Sequence, residues 1–444
     1  MNLRTHPTDP WLRTFLIIFT GQGFSLLGSA ALNFALVWWL TAETGSAATL
    51  AHACLAALLP QALLGPFVGP FVDRWDRRRT MIGADLFIAA TSLLLLAMFA
   101  QGRPAVAAIL GVIALRSAGA AFHQPASQAA VPMYVPPEQL LRVAGWNFFL
   151  GSGVAMAGPV LGAFLMGVAP MGVIVMVDVV GAVVAVVSLL LVRIPHPQRS
   201  EAIAAGAGLL REFREGWREL IHHRGLLQLT AVITMLTLLY MPLNALFPLM
   251  TFSHFGGDAL RASIAEFAFG SGMLAGSLAI GTLSARITGT RLIASGVALL
   301  GVTIGAAGLL PSSGFWVYAG LCILMGVSAP LFSAPLTALF QTLIDPAKLG
   351  RVMSLYMTTT TLMAAAGLVL AGPVAERIGV AAWFAMSGVL ILLAGIPVWV
   401  LPAVRRLDRK AGGAGAGTQQ SSAAGAEAAD AALGPPQAAR DGAE

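Results

Sequence analysis

The sequence predicts an all-α membrane protein of twelve transmembrane helices, arranged as two six-helix halves around a central cavity. Three observations predict it: an apolar composition, long apolar runs separated by short charged breaks, and an internal repeat. Of 444 residues, 57% are hydrophobic and 10% are charged, whereas charged residues make up roughly a quarter of a soluble domain. Runs such as Phe15 to Leu40 and Leu50 to Val72 exceed the roughly 20 residues that cross ~30 Å of hydrocarbon at ~1.5 Å per residue.

Cutting the chain at charged, Gly-rich and Pro-rich breaks gives the spans in order: about 14–40, 47–71, 80–101, 105–132, 143–167 and 171–192, then 225–252, 263–284, 290–310, 315–342, 352–374 and 380–402. The opening MNLRTHPTDPWLR shows no small-residue cleavage site behind a short apolar core, so the first run is expected to be a retained span. Cys54 and Cys322 both fall inside apolar runs and read as small core residues, with no disulfide framework implied.

Charge then orients the spans. With both ends on one side, Arg74, Arg77, Arg78, Arg79, Arg142, Arg193, Arg224, Arg286, Arg351 and most other basic residues share one face. Arg103, Arg261 and Arg377 fall on the other, and Arg116 lies within a span. The positive-inside rule makes the crowded face cytoplasmic and both termini cytoplasmic. This asymmetry accounts for the net charge of +6 without a nucleic-acid partner.

Between the halves, LLREFREGWRELIHH places Leu209, Phe213, Trp217, Leu220 and Ile221 at helical spacing opposite Arg and Glu. An amphipathic helix lying on the inner membrane surface is expected there. The segment after Arg406 is rich in Ala, Gly, Ser and Gln, a composition that cannot bury a core. The expected domains are therefore an N-terminal half at 1–193, an amphipathic linker at 194–224, a C-terminal half at 225–403 and a disordered cytoplasmic tail at 404–444.

The halves repeat one another. FHQPASQA from Phe122 recurs as FSAPLTAL from Phe332, and VPPEQLLRV ending at Val143 recurs as IDPAKLGRV ending at Val352. Gly158-Pro159-Val160 recurs as Gly372-Pro373-Val374, and Gly69 with its basic loop recurs at Gly281. Parallel repeats of this kind belong to secondary transporters, whose substrates bind between the halves near the bilayer midplane.

Gly69-x-x-x-Asp73-Arg74-x-x-Arg77-Arg78 resembles the loop signature of the major facilitator superfamily, with Asp76 where that loop usually has a second Gly. Physically, an acid at a helix boundary accepts from exposed N–H groups while arginines meet carboxylates or anionic headgroups, in contacts that differ between conformations. Longer stretches, including GQGFSLLGSAALNFALVWWLTAETGSA, LRSAGAAFHQPA, YMPLNALFPL, SIAEFAFGSGMLAG and ALFQTLIDPAKLGRV, are similar to the Mef-type macrolide-efflux proteins of that superfamily. The resemblance covers all twelve spans and stops at the tail. It implies the major facilitator fold and a plasma-membrane permease that exports bulky amphiphilic drugs, macrolides foremost, by antiport with protons.

Several residues are candidates for that work. The chain has only two lysines, Lys348 and Lys410, neither preceded by Gly, so no phosphate-cradling loop exists and an ion gradient is the expected driver. Intramembrane charges are costly and default to function. Arg116, about 12 residues and so ~18 Å into span four, and Asp178, about 8 residues and ~12 Å into span six, are proton-coupling candidates that can pair. The alternative is a static pair that fixes helix packing. Glu266, near the outer start of span eight, is the third proton candidate, set against a solvated acid at a helix start. Asp85 is grouped with the loop network, and His52 and His123 are weighed as relays against hydrogen-bonded helix contacts.

For the substrate cavity the candidates are Gln22, Asn33, Gln124, Asn147 and Asn244 as hydrogen-bonding groups, with Trp146 and Phe149 as apolar contacts. Each has interhelical packing as its alternative. Gly158, Pro159, Gly162, Gly372 and Pro373 form a helix-bend motif in which Gly permits close approach and Pro removes a backbone donor. No metal site, cofactor or catalytic constellation is expected, since His-Glu-x-x-His, Cys-x-x-Cys and Gly-x-Ser-x-Gly are all absent. The expected partners are an amphiphilic small molecule, protons and the bilayer, with the chain a monomer. Export or flipping of an endogenous siderophore or lysophospholipid is the rival reading, and a membrane-embedded non-transport protein is disfavoured.

Overall fold

The structure is a computed structural model that describes residues 10–194, 209–283, 286–404 and 406–408. The described residues form thirteen α-helices and no strand. The first half holds α1 (Pro10–Thr44), α2 (Ala47–Arg74), α3 (Arg77–Ala100), α4 (Val106–Tyr134), α5 (Leu140–Val168) and α6 (Met171–Leu191). A short α7 (Leu209–His222) leads to α8 (Arg224–Leu249), α9 (Ala259–Leu283), α10 (Gly289–Gly308), α11 (Phe315–Leu343), α12 (Pro346–Ile378) and α13 (Val380–Val400). Among the described residues, twelve helices are long and apolar enough to cross a membrane, α7 being the exception.

Helix pairing follows the repeat. In the first half α1 packs on α5 and α6, α2 on α4, and α3 on α4 and α6. In the second half α8 packs on α12 and α13, α9 on α11, and α10 on α11 and α13. Each first-half pairing has its counterpart six spans later. The halves meet along α2 with α12 and along α5 with α9, and these two seams are themselves equivalents of each other. Leu191, Leu278, Leu309 and Trp316 are each at least 70% exposed on the outer surface of the bundle, a pattern suited to hydrocarbon and costly in water.

Small residues set the closest approaches. A Cβ on Gly162 of α5 would lie 2.7 Å from the carbonyl oxygen of Ala31, and one on Gly158 would lie 2.5 Å from the Cβ of Ala30, so α1 and α5 touch backbone to backbone. Gly372 of α12 meets Ala48 of α2 in the same way, at 2.8 Å, on the seam between halves. Pro159 and Pro373 sit inside α5 and α12, as Pro125 and Pro335 sit inside the repeat-related α4 and α11.

Two boundaries differ from the sequence expectation. Val404 and Leu407 are buried, Gly225 abuts the carbonyl of Ala403, and Asp408 accepts from the backbone N–H of Thr290 at 3.0 Å and from its hydroxyl. Packed structure therefore runs past the boundary drawn at 403, because α10 begins at an N-terminus whose exposed N–H groups need an acceptor and Asp408 supplies it. The tail beyond lies outside the described residues.

The second difference concerns α7. It docks on α12 as well as presenting an apolar face: Leu220 is buried, Trp217 and Ile221 are exposed, and Gly216 lies against the carbonyl of Arg351. Lys348 donates to Glu219 at 2.8 Å and Arg351 pairs with Glu215 at 2.6 Å. The helix α12 starts six residues ahead of its apolar segment, and those extra turns carry both basic residues. The side chains of Leu209 and Phe213 lie outside the described residues.

Candidate functional site

An ion pair joins four helices inside the first half. Arg116 of α4 donates from Nη1 to Oδ2 of Asp178 on α6 at 2.8 Å and from Nη2 to Oδ1 at 3.2 Å. Asp178 also accepts from Ser29 Oγ of α1 and Ser92 Oγ of α3, each at 2.5 Å, and Arg116 is hydrogen-bonded to both serines. Asp178 is 1% exposed. A charge so buried is tolerable when paired and fully hydrogen-bonded, and both carboxylate oxygens here have two donors. Gly28 makes this local geometry possible: a Cβ there would lie 3.1 Å from the Cα of Asp178, so α1 comes close enough for Ser29 to reach across.

A second polar cluster sits nearer the arginine-rich face. Asp85 of α3, 4% exposed, accepts from Gln22 Nε2 of α1 at 3.2 Å and lies 3.3 Å from His123 Nε2 of α4. These described partners place Asp85 in the wall of a cavity, between α1 and α4. His123 thus stands on α4 beside an acid. His52 lies on α2.

Two adjoining cavities run along these clusters. The larger, about 650 Å³, belongs wholly to the first half and is lined by Gln22, Ser29, Gln61, Asp85, Arg116, His123, Gln124, Gln128, Tyr134 and Asn147 among others. The smaller, about 450 Å³, lies between the halves, with Asn33, Phe34 and Pro159 on one side and Asn244, Phe247, Glu266 and Phe269 on the other. Asn33, Ala57 and Ile113 line both, so the two are continuous. Each volume falls within the ~300–1,000 Å³ of small-molecule sites.

The candidates are thus distributed unevenly. Gln22, Asn33, Gln124, Asn147 and Asn244 all reach a cavity wall. Trp146 does not: it packs on Phe15 and Phe19 at centroid separations of 5.4 and 6.3 Å, with the guanidinium of Arg142 5.0 Å from its ring. Phe149 is 77% exposed and lines neither cavity. Glu266 lines the cavity between the halves, which separates it from the solvated helix-start reading. Sequence reasoning missed Ser29 and Ser92, because a serine in an apolar helix ordinarily bonds its own backbone and nothing local marks one that reaches another helix.

The named contacts between the halves lie from mid-helix to the face away from the arginines. Met156 of α5 meets Gly270 of α9 near the middle. Toward the arginine-poor face, Trp38 stacks edge-on with Phe252 at 5.8 Å, Gly372 meets Ala48, and Glu376 of α12 accepts from Ser46 Oγ at 2.5 Å and from the Ala48 N–H at 3.3 Å. The larger cavity extends the other way, to Tyr134 at the arginine-face end of α4.

Comparison with known proteins decides the family. The Major Facilitator Superfamily model matches residues 18–367 and 237–433. The chain belongs to the Major Facilitator Superfamily. It is 40% identical over 402 residues to "Macrolide efflux protein A" of Streptococcus pyogenes, covering 90% of this chain and 98% of that protein. It is 25% identical to "Multidrug efflux pump Tap" of Mycobacterium tuberculosis (strain ATCC 25618 / H37Rv), covering 89% and 94%. Among solved structures it resembles a bacterial homologue of the iron transporter ferroportin in an inward-facing state, with a TM-score of 0.67 at 15% identity over 88% of this chain and 100% of that one.

Within this superfamily member, the loop between α2 and α3 has a defined chemistry. Asp76 caps α3, accepting from the Arg79 N–H at 3.1 Å, so the departure from the usual glycine supplies a helix cap. Arg78 donates to the carbonyls of Leu189 and Leu190 at 2.7 and 2.9 Å, closing the C-terminal end of α6, and Arg77 donates to the Ala129 carbonyl of α4 at 2.6 Å. These arginines thus meet helix carbonyls, a favourable place for a cation. Gly69, Asp73 and Arg74 fall on the last turns of α2, and the side chains of Asp73 and Arg74 lie outside the described residues.

Proposed function

We propose that the chain is a proton-coupled exporter of bulky amphiphilic drugs, macrolides first among them, working by alternating access in the plasma membrane. The observation that carries this reading is the 40% identity to "Macrolide efflux protein A" along nearly the whole of both chains. The arginine-rich face is read as cytoplasmic, with both termini there. Seams closed toward the far face and a cavity extending toward the arginines then suit a state that loads substrate from the cytoplasm. Residues 1–193 and 225–403 act as the two rocking bodies of a monomer, with α7 tied to the second.

Coupling is assigned to the Arg116–Asp178 pair. A proton on Asp178 Oδ2 removes the charge that holds Arg116, and the bonds joining α1, α3, α4 and α6 weaken together. Arg116, already on the cavity wall, is then free to move. Glu266 is the other acid able to take a proton, while Asp73 and Arg74 bias the two states from the loop. Gln124, Asn147 and Asn244 supply hydrogen bonds to a polyoxygenated ligand.

The test is accumulation of radiolabelled erythromycin in cells expressing the protein, with and without an uncoupler. Lowered accumulation that the uncoupler restores is the expected result. Unchanged accumulation in a well-expressed, membrane-inserted sample rejects the macrolide assignment and turns the search to siderophores and lysophospholipids.

A further inference from the structure

Among the described residues, the intramembrane acids Asp178 and Asp85 each have a cationic or hydrogen-bonding neighbour, and Glu266 differs from them. Asp178 has Arg116 and two serines, and Asp85 has Gln22 and His123. Glu266 lines the cavity between the halves as the one charged residue among its described lining residues, which include no Lys, Arg or His. Around it stand Phe34, Phe247, Phe269 and Met273, with Asn33 and Asn244 as the polar groups. From α11, Tyr318 and Cys322 lie within electrostatic reach, and both are neutral groups. A lone carboxylate facing an apolar cavity is expensive unless something cationic meets it.

We infer that Glu266 receives the protonated amine of the substrate, so that the compounds this cavity selects are amphiphilic monocations. The inference rests on the export reading above and names the substrate class of that site. The geometry suits a bulky body with one ammonium. Phe247 and Phe269, 6.0 Å apart between ring centroids, border the same cavity and offer aromatic faces to a cation. Beyond Asn33 the space opens into the larger cavity, where Gln61, Gln124, Gln128 and Asn147 provide partners for hydroxyl and carbonyl groups. The ammonium is held at the interface of the halves and the polyoxygenated body extends toward the arginine-rich face. A substrate so placed touches both bodies, with its charge on the second half and most of its surface on the first.

The experiment compares erythromycin, whose amino sugar carries a basic tertiary amine, with its N-demethyl-N-acetyl derivative, in which that nitrogen is an uncharged amide. Uptake of each is measured in inverted membrane vesicles under an imposed proton gradient. Wild-type protein is expected to favour the amine about tenfold or more, the scale of a charge-assisted hydrogen bond. Glu266→Gln is expected to abolish the preference, bringing amine uptake down to the amide rate, and Glu266→Asp to keep it. Loss of both compounds in Glu266→Gln overturns the inference in favour of a coupling or folding role, and an equally inactive Glu266→Asp points the same way. Unchanged uptake of both compounds in Glu266→Gln overturns it as well. Wild-type vesicles that take up both compounds at one rate sink the amine inference alone, whereas vesicles that take up neither sink the export reading.

Discussion

Ser46 Oγ donates to Glu376 Oε1 at 2.5 Å across 330 residues of sequence, tying the loop before α2 to the end of α12. The same carboxylate oxygen accepts from the Ala48 N–H at 3.3 Å, so a residue of the second half caps a helix of the first. This bond lies at the arginine-poor ends of both helices, where the two bodies close on each other.

Glu376→Gln is expected to loosen that closure without harming the fold, since the residue is exposed and the capping acceptor becomes a weaker amide oxygen. Solvent screening limits the effect to under about 1 kcal/mol, a few-fold change in population. Distance distributions between spin labels at the arginine-poor ends of α2 and α12 should broaden toward longer separations. Unchanged distributions would show that the Gly372–Ala48 contact closes the seam alone.

Asp178→Asn is expected to cost about 3–5 kcal/mol, because Arg116 is left buried without its counter-charge. The double variant Asp178→Asn with Arg116→Met removes both charges and should recover most of that loss. Thermal unfolding of the detergent-solubilised proteins measures it. A single variant as stable as wild type would mean that Ser29 and Ser92 suffice to hold the guanidinium.

Gly162→Leu should disrupt the α1–α5 contact, where the added side chain meets the Ala31 carbonyl and Phe34. Overpacking of this kind costs about 1–3 kcal/mol. Gly153→Ala on the same helix faces open space and should be neutral or stabilising by the ~0.5–1 kcal/mol that Ala gains over Gly in a helix. Monodispersity in size-exclusion chromatography separates the two, and equal behaviour would remove the case for close packing at Gly162.

Reversing charge at Glu219 and Lys348 tests the docking of α7. Glu219→Lys places like charges together at the α7–α12 contact, and hydrogen exchange in α7 should rise. Adding Lys348→Glu restores a pair of opposite sign and should return the protection. Exchange that stays unchanged in the single variant would mean that Leu220 and Gly216 hold the helix without the ion pair.

The spans, their number and the two halves were legible in the chain because each follows from local composition repeated along the sequence. The pairing of α1 with α6 and its echo in α8 with α13 follow from the repeat at about 210 residues. Arg116 and Asp178 stood out because charge in a long apolar run is conspicuous. Trp146 and Phe149 show the limit: an aromatic residue near a cavity helix has the same sequence signature whether it faces the cavity, another helix or the surface. Glu376 gave no sign of its role, since an acid near a helix end reads as solvated until the second half is seen to lie against α2.

Taken alone, the sequence determined that this chain crosses a membrane twelve times in two related halves, because the cost of placing polar groups in hydrocarbon acts on each segment by itself. Tertiary structure decided which polar groups meet. Ser29 and Asp178 are 149 residues apart, and Glu266 shares a cavity with Asn33 from the other half. A buried hydrogen bond or an unpartnered charge is a property of several helices packed at one crossing. Hydropathy, read one segment at a time, carries no record of that crossing.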